Sequence, residues 1–128
     1  ARRLRVLVVD DNRDAAESMA MLLEAMEVEI AMAHDGLAAL DVAESLQPDL
    51  ALLDIGMPGM DGYTLARTVR ARNQHIPIVA LTAHAMSGDR ERYLDMGFDS
   101  YVTKPIVDEH ILIGEIRRLL DGEAVRNG

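Results

Sequence analysis

The chain has 128 residues, about half of them apolar, which is enough for one domain with a single core. It carries a formal net charge of −9, which argues against non-specific nucleic-acid binding by this domain. It has no cysteine, so disulfides, thiolate metal sites and a cysteine nucleophile are excluded, and a reducing compartment is the default.

The opening Arg2-Arg3-Leu4-Arg5 is basic, but the apolar run after it is too short for a signal peptide. No stretch approaches membrane-spanning length, so neither a membrane nor a nucleic acid is expected as a partner of this domain. Opening on Ala1 rather than Met is consistent with a chain processed or cut from a longer one.

Arg5 to Val9 is a continuous apolar run closed by Asp10, the pattern of a strand buried on both faces. A helix is expected from about Asp14 to Met26, with Ala15, Met19, Leu22, Leu23 and Met26 on one side and Asn12 or Asp14 as its cap. Val28 to Ala33 reads as a second strand. After the Asp35-Gly36 turn, Leu37, Leu40, Val42, Ala43 and Leu46 mark a second helix, with Pro48 just beyond it.

Leu50 to Asp54 is the third strand, and it runs into the glycine-rich stretch Gly56-Met57-Pro58-Gly59-Met60-Asp61-Gly62. A helix follows from about Gly62 to Arg72, with Leu65, Ala66 and Val69 inward. Pro77 to Leu81 is a fourth strand ending in Thr82-Ala83-His84. Ser87 to Met96 reads as a charged, weakly amphipathic helix stopped by Gly97. Ser100 to Thr103 is a fifth strand closed by Lys104-Pro105. The last helix is expected from about Asp108 to Leu120, with Ile111, Leu112, Ile116, Leu119 and Leu120 apolar and a frayed tail over 121–128. This fivefold alternation predicts an α/β domain, a parallel sheet with helices on both faces.

The polar residues fall at strand ends: Asp10 and Asp11 after the first, Asp54 at the third, Thr82 at the fourth and Lys104 at the fifth. In an open parallel sheet these ends share one edge, where ligands bind. Taken singly, each has a bland reading: an Asp pair caps a helix, a threonine ends a strand, a lysine is solvated. Their joint placement is what needs explaining. Clustered aspartates call for a counter-charge, and a hard divalent cation with oxygen ligands, Mg²⁺ by abundance, supplies one. Lys104 and Thr82 suit a phosphoryl group beside it. The set reads as phosphoryl transfer to a carboxylate, with Asp54 as nucleophile.

Four pieces carry a resemblance: Val8-Val9-Asp10-Asp11-Asn12, Leu53-Asp54 with Met57-Pro58-Gly59-Met60-Asp61-Gly62, Leu81-Thr82-Ala83, and Tyr101-Val102-Thr103-Lys104-Pro105. In this order and spacing the chain resembles a response-regulator receiver domain of two-component signalling over essentially its whole length, 1–128, with a core of about 4–120. The resemblance implies a doubly wound, flavodoxin-like (βα)5 fold of three layers with strand order 2-1-3-4-5. It implies Asp54 as phospho-acceptor, taking its phosphoryl group from a phosphohistidine on a histidine kinase or histidine phosphotransfer domain. It implies Mg²⁺ held by Asp10, Asp11, Asp54 and the backbone carbonyl of Gly56. Thr82 would move to the phosphoryl group, Lys104 would pair with it, and the Lys104–Pro105 peptide would be cis. Tyr101 would swing inward with Thr82 and repack the face of helix four, strand five and helix five, where a downstream protein would dock. Gly56 and His84 would flank the path of the hydrolytic water and tune the phosphoryl lifetime.

On this resemblance the chain is no conventional enzyme; its chemistry is self-phosphorylation at Asp54 and slow autodephosphorylation, in the cytoplasm. Thr82-Ala83-His84-Ala85-Met86 and Gly97-Phe98-Asp99-Ser100-Tyr101 look most like receivers of hybrid histidine kinases, whose parent protein can be membrane-attached. A free-standing single-domain regulator and a receiver cut from a regulator with an output domain are the alternatives. Outside the family, an Asp-nucleophile phosphatase needs a second Asp two residues after the first, where this chain has Gly56. A nucleotide- or flavin-binding domain needs a glycine-rich first turn, where this chain has Asp10-Asp11-Asn12.

Overall fold

The computed structural model of the protein describes residues 4–56, 62–72, 76–83, 89–104 and 109–127. Strand and helix alternate: β1 (Arg5–Val9), α1 (Arg13–Glu24), β2 (Glu29–Ala33), α2 (Gly36–Leu46), β3 (Leu50–Asp54), α3 (Gly62–Arg72), β4 (Ile78–Thr82), α4 (Asp89–Asp95), β5 (Ser100–Thr103) and α5 (Glu109–Asn127). The strands form one parallel sheet in the order β2-β1-β3-β4-β5.

The apolar runs explain the centre of the sheet. β3 and β4 are buried at every position and β1 at all but Arg5, whereas the edge strand β2 buries only Ala33. Side chains alternate between two cores. Leu7, Val9, Ala51, Leu53, Ile78 and Ala80 face α2, α3 and α4 through Ala39, Leu65, Val69 and Tyr93. Val6, Val8, Leu50, Leu52, Val79 and Leu81 face α1 and α5 through Met19, Leu23, Leu112 and Ile116. Each fully buried Val, Leu or Ile contributes roughly 1.5–3 kcal/mol of burial free energy.

Local chemistry sets the helix starts. Asn12 Oδ1 accepts the Ala15 amide at 3.1 Å and caps α1; Asp35 Oδ1 accepts the Ala38 amide at 2.7 Å and caps α2. At the start of α3, Gly62 is required by close approach: a Cβ there would lie 2.7 Å from Ile55 Cα. Gly97 follows α4 at φ +103°, a conformation that side chains rarely adopt.

The helices add detail to the sequence reading. α5 extends through Asn127. Leu37 and Ile111 are exposed, at 73% and 61%. Ala39 and Leu112 take the inward positions, because 3.6 residues per turn cannot bring Leu37 and Ala39 to one face. On α1 the buried alanine is Ala16 rather than Ala15. No helix among the described residues is long and apolar enough to cross a membrane.

Candidate functional site

Each polar strand end is positioned by the sheet itself. The Asp10 amide donates to Ala33 O at 3.0 Å, carrying the β1–β2 pairing one residue past the strand, and leaves Asp10 buried. Asp54 is the last residue of β3, in register with Leu81, and is also buried. The Lys104 amide donates to Thr82 O at 2.7 Å, so the backbone after β5 is fixed to the end of β4. Asp11 is exposed at the mouth.

One ammonium joins the carboxylates. Lys104 Nζ donates to Asp10 Oδ2 at 2.8 Å and lies 3.5 Å from Asp54 Oδ2. Asp10 Oδ1 accepts the Asn12 amide at 3.0 Å, and Asp54 Oδ1 accepts the Gly56 amide at 2.9 Å. His34, which sequence reasoning passed over, hydrogen-bonds the Asp10 carbonyl through Nδ1 at 3.1 Å and braces that strand end. Asp10, Asp11 and Asp54 each offer a carboxylate oxygen within 4.8 Å of the others. These are hard anionic oxygen donors, the chemistry that Mg²⁺ takes, and Asp11 at the exposed mouth leaves room for the waters that the ion keeps.

The electrostatics follow from this crowding. Burial pushes the Asp54 carboxyl above the usual range; the Gly56 amide and Lys104 pull it down, Asp10 pushes it up, and the net direction is up. Burial works against the Lys104 ammonium, but the hydrogen bond to Asp10 and the charges of Asp54 and Asp10 outweigh it, so Lys104 holds its proton above the ordinary lysine range. Acid and base of the pair therefore both move up. The ammonium answers to two carboxylates, while Asp54 has only the more distant share of one ammonium.

Thr82 is buried at the end of β4, and its Oγ1 accepts from the Tyr93 hydroxyl at 3.2 Å. Tyr101 is half-buried on β5, its ring 5.2 Å from that of Tyr93. Ser100 beside it donates to Glu115 Oε2 at 2.6 Å, fastening α5 to β5. Tyr93 was missed in the sequence because it stands in a run of charges; the available signal was a lone large ring in that run, close before Phe98. A groove of about 750 Å³ opens beside α1, with Asp10, Asn12, Met19, Leu22 and Lys104 in its lining.

The structure thus brings Asp10, Asp11, Asp54 and Lys104 together, with Gly56 at the Asp54 carboxylate. Thr82 stands at the same edge, next to Leu81, the β4 partner of Asp54, and is joined to Tyr101 through Tyr93. His84 and the Lys104–Pro105 peptide lie outside the described residues.

Comparison with known proteins gives the same answer from another direction. Residues 6–116 match the response regulator receiver domain family. The chain is 40% identical over 132 aligned residues to the Sensor protein GacS of Pseudomonas syringae pv. syringae, covering 99% of this chain and 14% of that protein. It is 39% identical over 117 residues to the Response regulator MprA of Mycobacterium avium (strain 104), covering 91% of this chain and 51% of that one. The chain therefore spans about half the length of one such relative and a far smaller share of the other. Among solved structures, a CheY-like response regulator receiver domain protein from Methanospirillum hungatei JF-1 superposes with a TM-score of 0.88 at 28% identity, covering 99% of this chain and all of that one. On fold, strand-end chemistry and sequence together, the chain belongs to the response regulator receiver domain family of two-component signalling.

Proposed function

We propose that Asp54 is the phospho-acceptor of this receiver domain, taking a phosphoryl group from a phosphohistidine on a histidine kinase or histidine phosphotransfer domain. The observation that carries this reading is the meeting of Asp10, Asp54 and Lys104 at one sheet edge, although Lys104 stands 94 positions from Asp10. An Asp54 carboxylate oxygen attacks phosphorus, the new P–O bond forms as the P–N bond breaks, and the electron pair of that bond stays on the imidazole nitrogen. Lys104 offers a positive charge to the phosphoryl oxygens from its seat between the two carboxylates. Asp10, Asp11 and Asp54, with the Gly56 carbonyl, would hold Mg²⁺, which supplies charge neutralisation at the transferring group.

Thr82 then turns its hydroxyl to a phosphoryl oxygen, and Tyr101 repacks with it on the face of α4, β5 and α5, where a downstream protein docks. The groove beside α1, which opens on Asp10 and Lys104, gives a donor protein a seat next to the acceptor. We read the parent protein as a hybrid sensor kinase with this domain on the cytoplasmic side. The likeness to a sensor protein and the stretches Thr82–Met86 and Gly97–Tyr101 support that reading. A response regulator, free-standing or with an output domain, shares the same chemistry.

The test is intact-mass measurement after incubation with phosphoramidate, a small donor with the same P–N bond, and Mg²⁺. The expected result is one added phosphoryl mass in the parent, not formed when Mg²⁺ is chelated beforehand and absent in Asp54→Asn. Equal incorporation in Asp54→Asn overturns the assignment.

A further inference from the structure

We propose that the Tyr93 hydroxyl is a latch on the switch threonine: it holds Thr82 toward α4 in the unphosphorylated chain and loses it when Thr82 turns to the phosphoryl group. This inference rests on the reading of Asp54 and Thr82 above.

Tyr93 is the one wholly buried residue of the described α4 side chains, at 1% exposure, in a helix whose Arg90, Glu91 and Arg92 face solvent. A buried phenol needs a partner for its hydroxyl. Tyr93 has two: it donates to Thr82 Oγ1 at 3.2 Å and accepts from Arg92 Nη2 at a long 3.5 Å. The ring is held from several sides. Phe98 meets it edge-on at 6.2 Å, Tyr101 lies at 5.2 Å, and the Arg92 guanidinium sits 5.2 Å from its centroid. A ring so packed does not follow a hydroxyl that moves toward Asp54.

Capture of Thr82 by a phosphoryl group therefore leaves the Tyr93 O–H without its acceptor, in a place that excludes water. The resting state keeps this bond and the phosphorylated state loses it, which biases the switch toward rest. The same ring touches Tyr101, so one residue joins the two members of the switch and transmits the release from the site to the surface. In the rival geometry Thr82 donates to the phosphoryl group while still accepting from Tyr93. Tyr93 would then support the active state, and the sign of the effect separates the two.

The test titrates the full 128-residue chain with beryllofluoride, a phosphoryl mimic, in Mg²⁺ buffer, followed by amide NMR shifts. Tyr93→Phe keeps the ring and removes the hydroxyl. The half-saturating concentration should fall about five- to tenfold, the value of one buried hydrogen bond. The gain should vanish in a Thr82→Ala background, a coupling that a purely packing role for Tyr93 would not produce. In the parent, which needs no folded variant, the Tyr93 Cζ resonance should shift on saturation as its hydroxyl loses Thr82. An unchanged or raised half-saturating concentration in Tyr93→Phe, the same gain without Thr82, or a Tyr93 Cζ signal that stays put overturns the latch. A parent that does not bind the mimic, or binds it equally as Asp54→Asn, overturns the underlying site reading and the latch with it.

Discussion

Replacing Lys104 by Met keeps an unbranched side chain out to Cε and removes the only cation seen between Asp10 and Asp54 among the described residues. Its Nζ lies 2.8 Å from Asp10 Oδ2 and 3.5 Å from Asp54 Oδ2, and those side chains are 3% and 11% exposed. A hydrogen bond to a charged group contributes about 1.5–3 kcal/mol, and stripping the partner from a fully buried ion costs about 3–5 kcal/mol. Lys104 is itself 23% exposed and Asp11 is open to water, so the lower figures apply, and the expected loss is about 2 kcal/mol at neutral pH without divalent cation. For a domain of this size that is a fall in Tm of about 6–10 °C.

The pH dependence of this loss follows from the carboxylates left behind. Burial already holds the Asp54 carboxyl above its usual range, and losing Lys104 removes one of the two influences that pull it down. A carboxyl whose folded pKa lies above its unfolded value supports folding fully below the unfolded pKa, and that support disappears as pH rises through the folded pKa. The deficit of Lys104→Met should therefore be small in acid, grow toward neutral pH, and shrink again when Mg²⁺ replaces the missing charge. Urea unfolding of parent and variant, at acid and neutral pH, with chelator and with Mg²⁺, reads all of this. A deficit of the same size at both pH values and indifferent to Mg²⁺ refutes the electrostatic reasoning.

The same crowding makes Asp54→Asn more stable than the parent at neutral pH in chelator, with the two converging in acid, because only the ionised carboxylate bears the burial cost; a less stable Asn variant in urea unfolding contradicts this. Asp11→Ala should leave the apo stability unchanged, since Asp11 is exposed, yet weaken Mg²⁺ binding by about tenfold or more in calorimetry. Undiminished affinity argues against the metal site as drawn. At Gly56 an added Cβ meets Asp54 Oδ1 at an ordinary 3.5 Å, so Gly56→Asn fits. Its amide can aim water at the phosphorus, so the phosphorylated form should decay up to about a hundredfold faster, measured by loss of phosphoryl mass with time.

The strands were legible because their apolar runs are unbroken and each ends in a polar residue. Arg5–Val9, Leu50–Asp54 and Ser100–Thr103 occupy the spans read from the sequence, and β4 ends one residue later, on Thr82. The grouping of Asp10, Asp11, Asp54 and Lys104 was legible for the same reason, since parallel strands bring all their C-terminal ends to one edge. What strand ends cannot reveal is who holds whom. That Lys104 is already bonded to Asp10 in the unphosphorylated chain depends on side-chain reach across β1, β3, β4 and β5. Helix faces were read less well. Ala39 is buried where Leu37 is not, because a helix lies closest to a sheet where its side chains are small, and a count of apolar residues does not register that. Tyr93 escaped because charge dominates α4, although one ring at the right turn is enough to anchor it.

Chemical trapping decides whether Asp54 receives the phosphoryl group. Borohydride reduces an acyl phosphate to an alcohol and leaves free carboxylates and phosphate esters untouched. The chain is phosphorylated with phosphoramidate and Mg²⁺, reduced, digested, and its peptides are sequenced by mass spectrometry. Homoserine is expected in place of Asp54, with Asp10 and Asp11 unchanged. Homoserine in place of Asp10 or Asp11, or a phosphoryl mass that survives reduction on a hydroxyl side chain, contradicts that assignment.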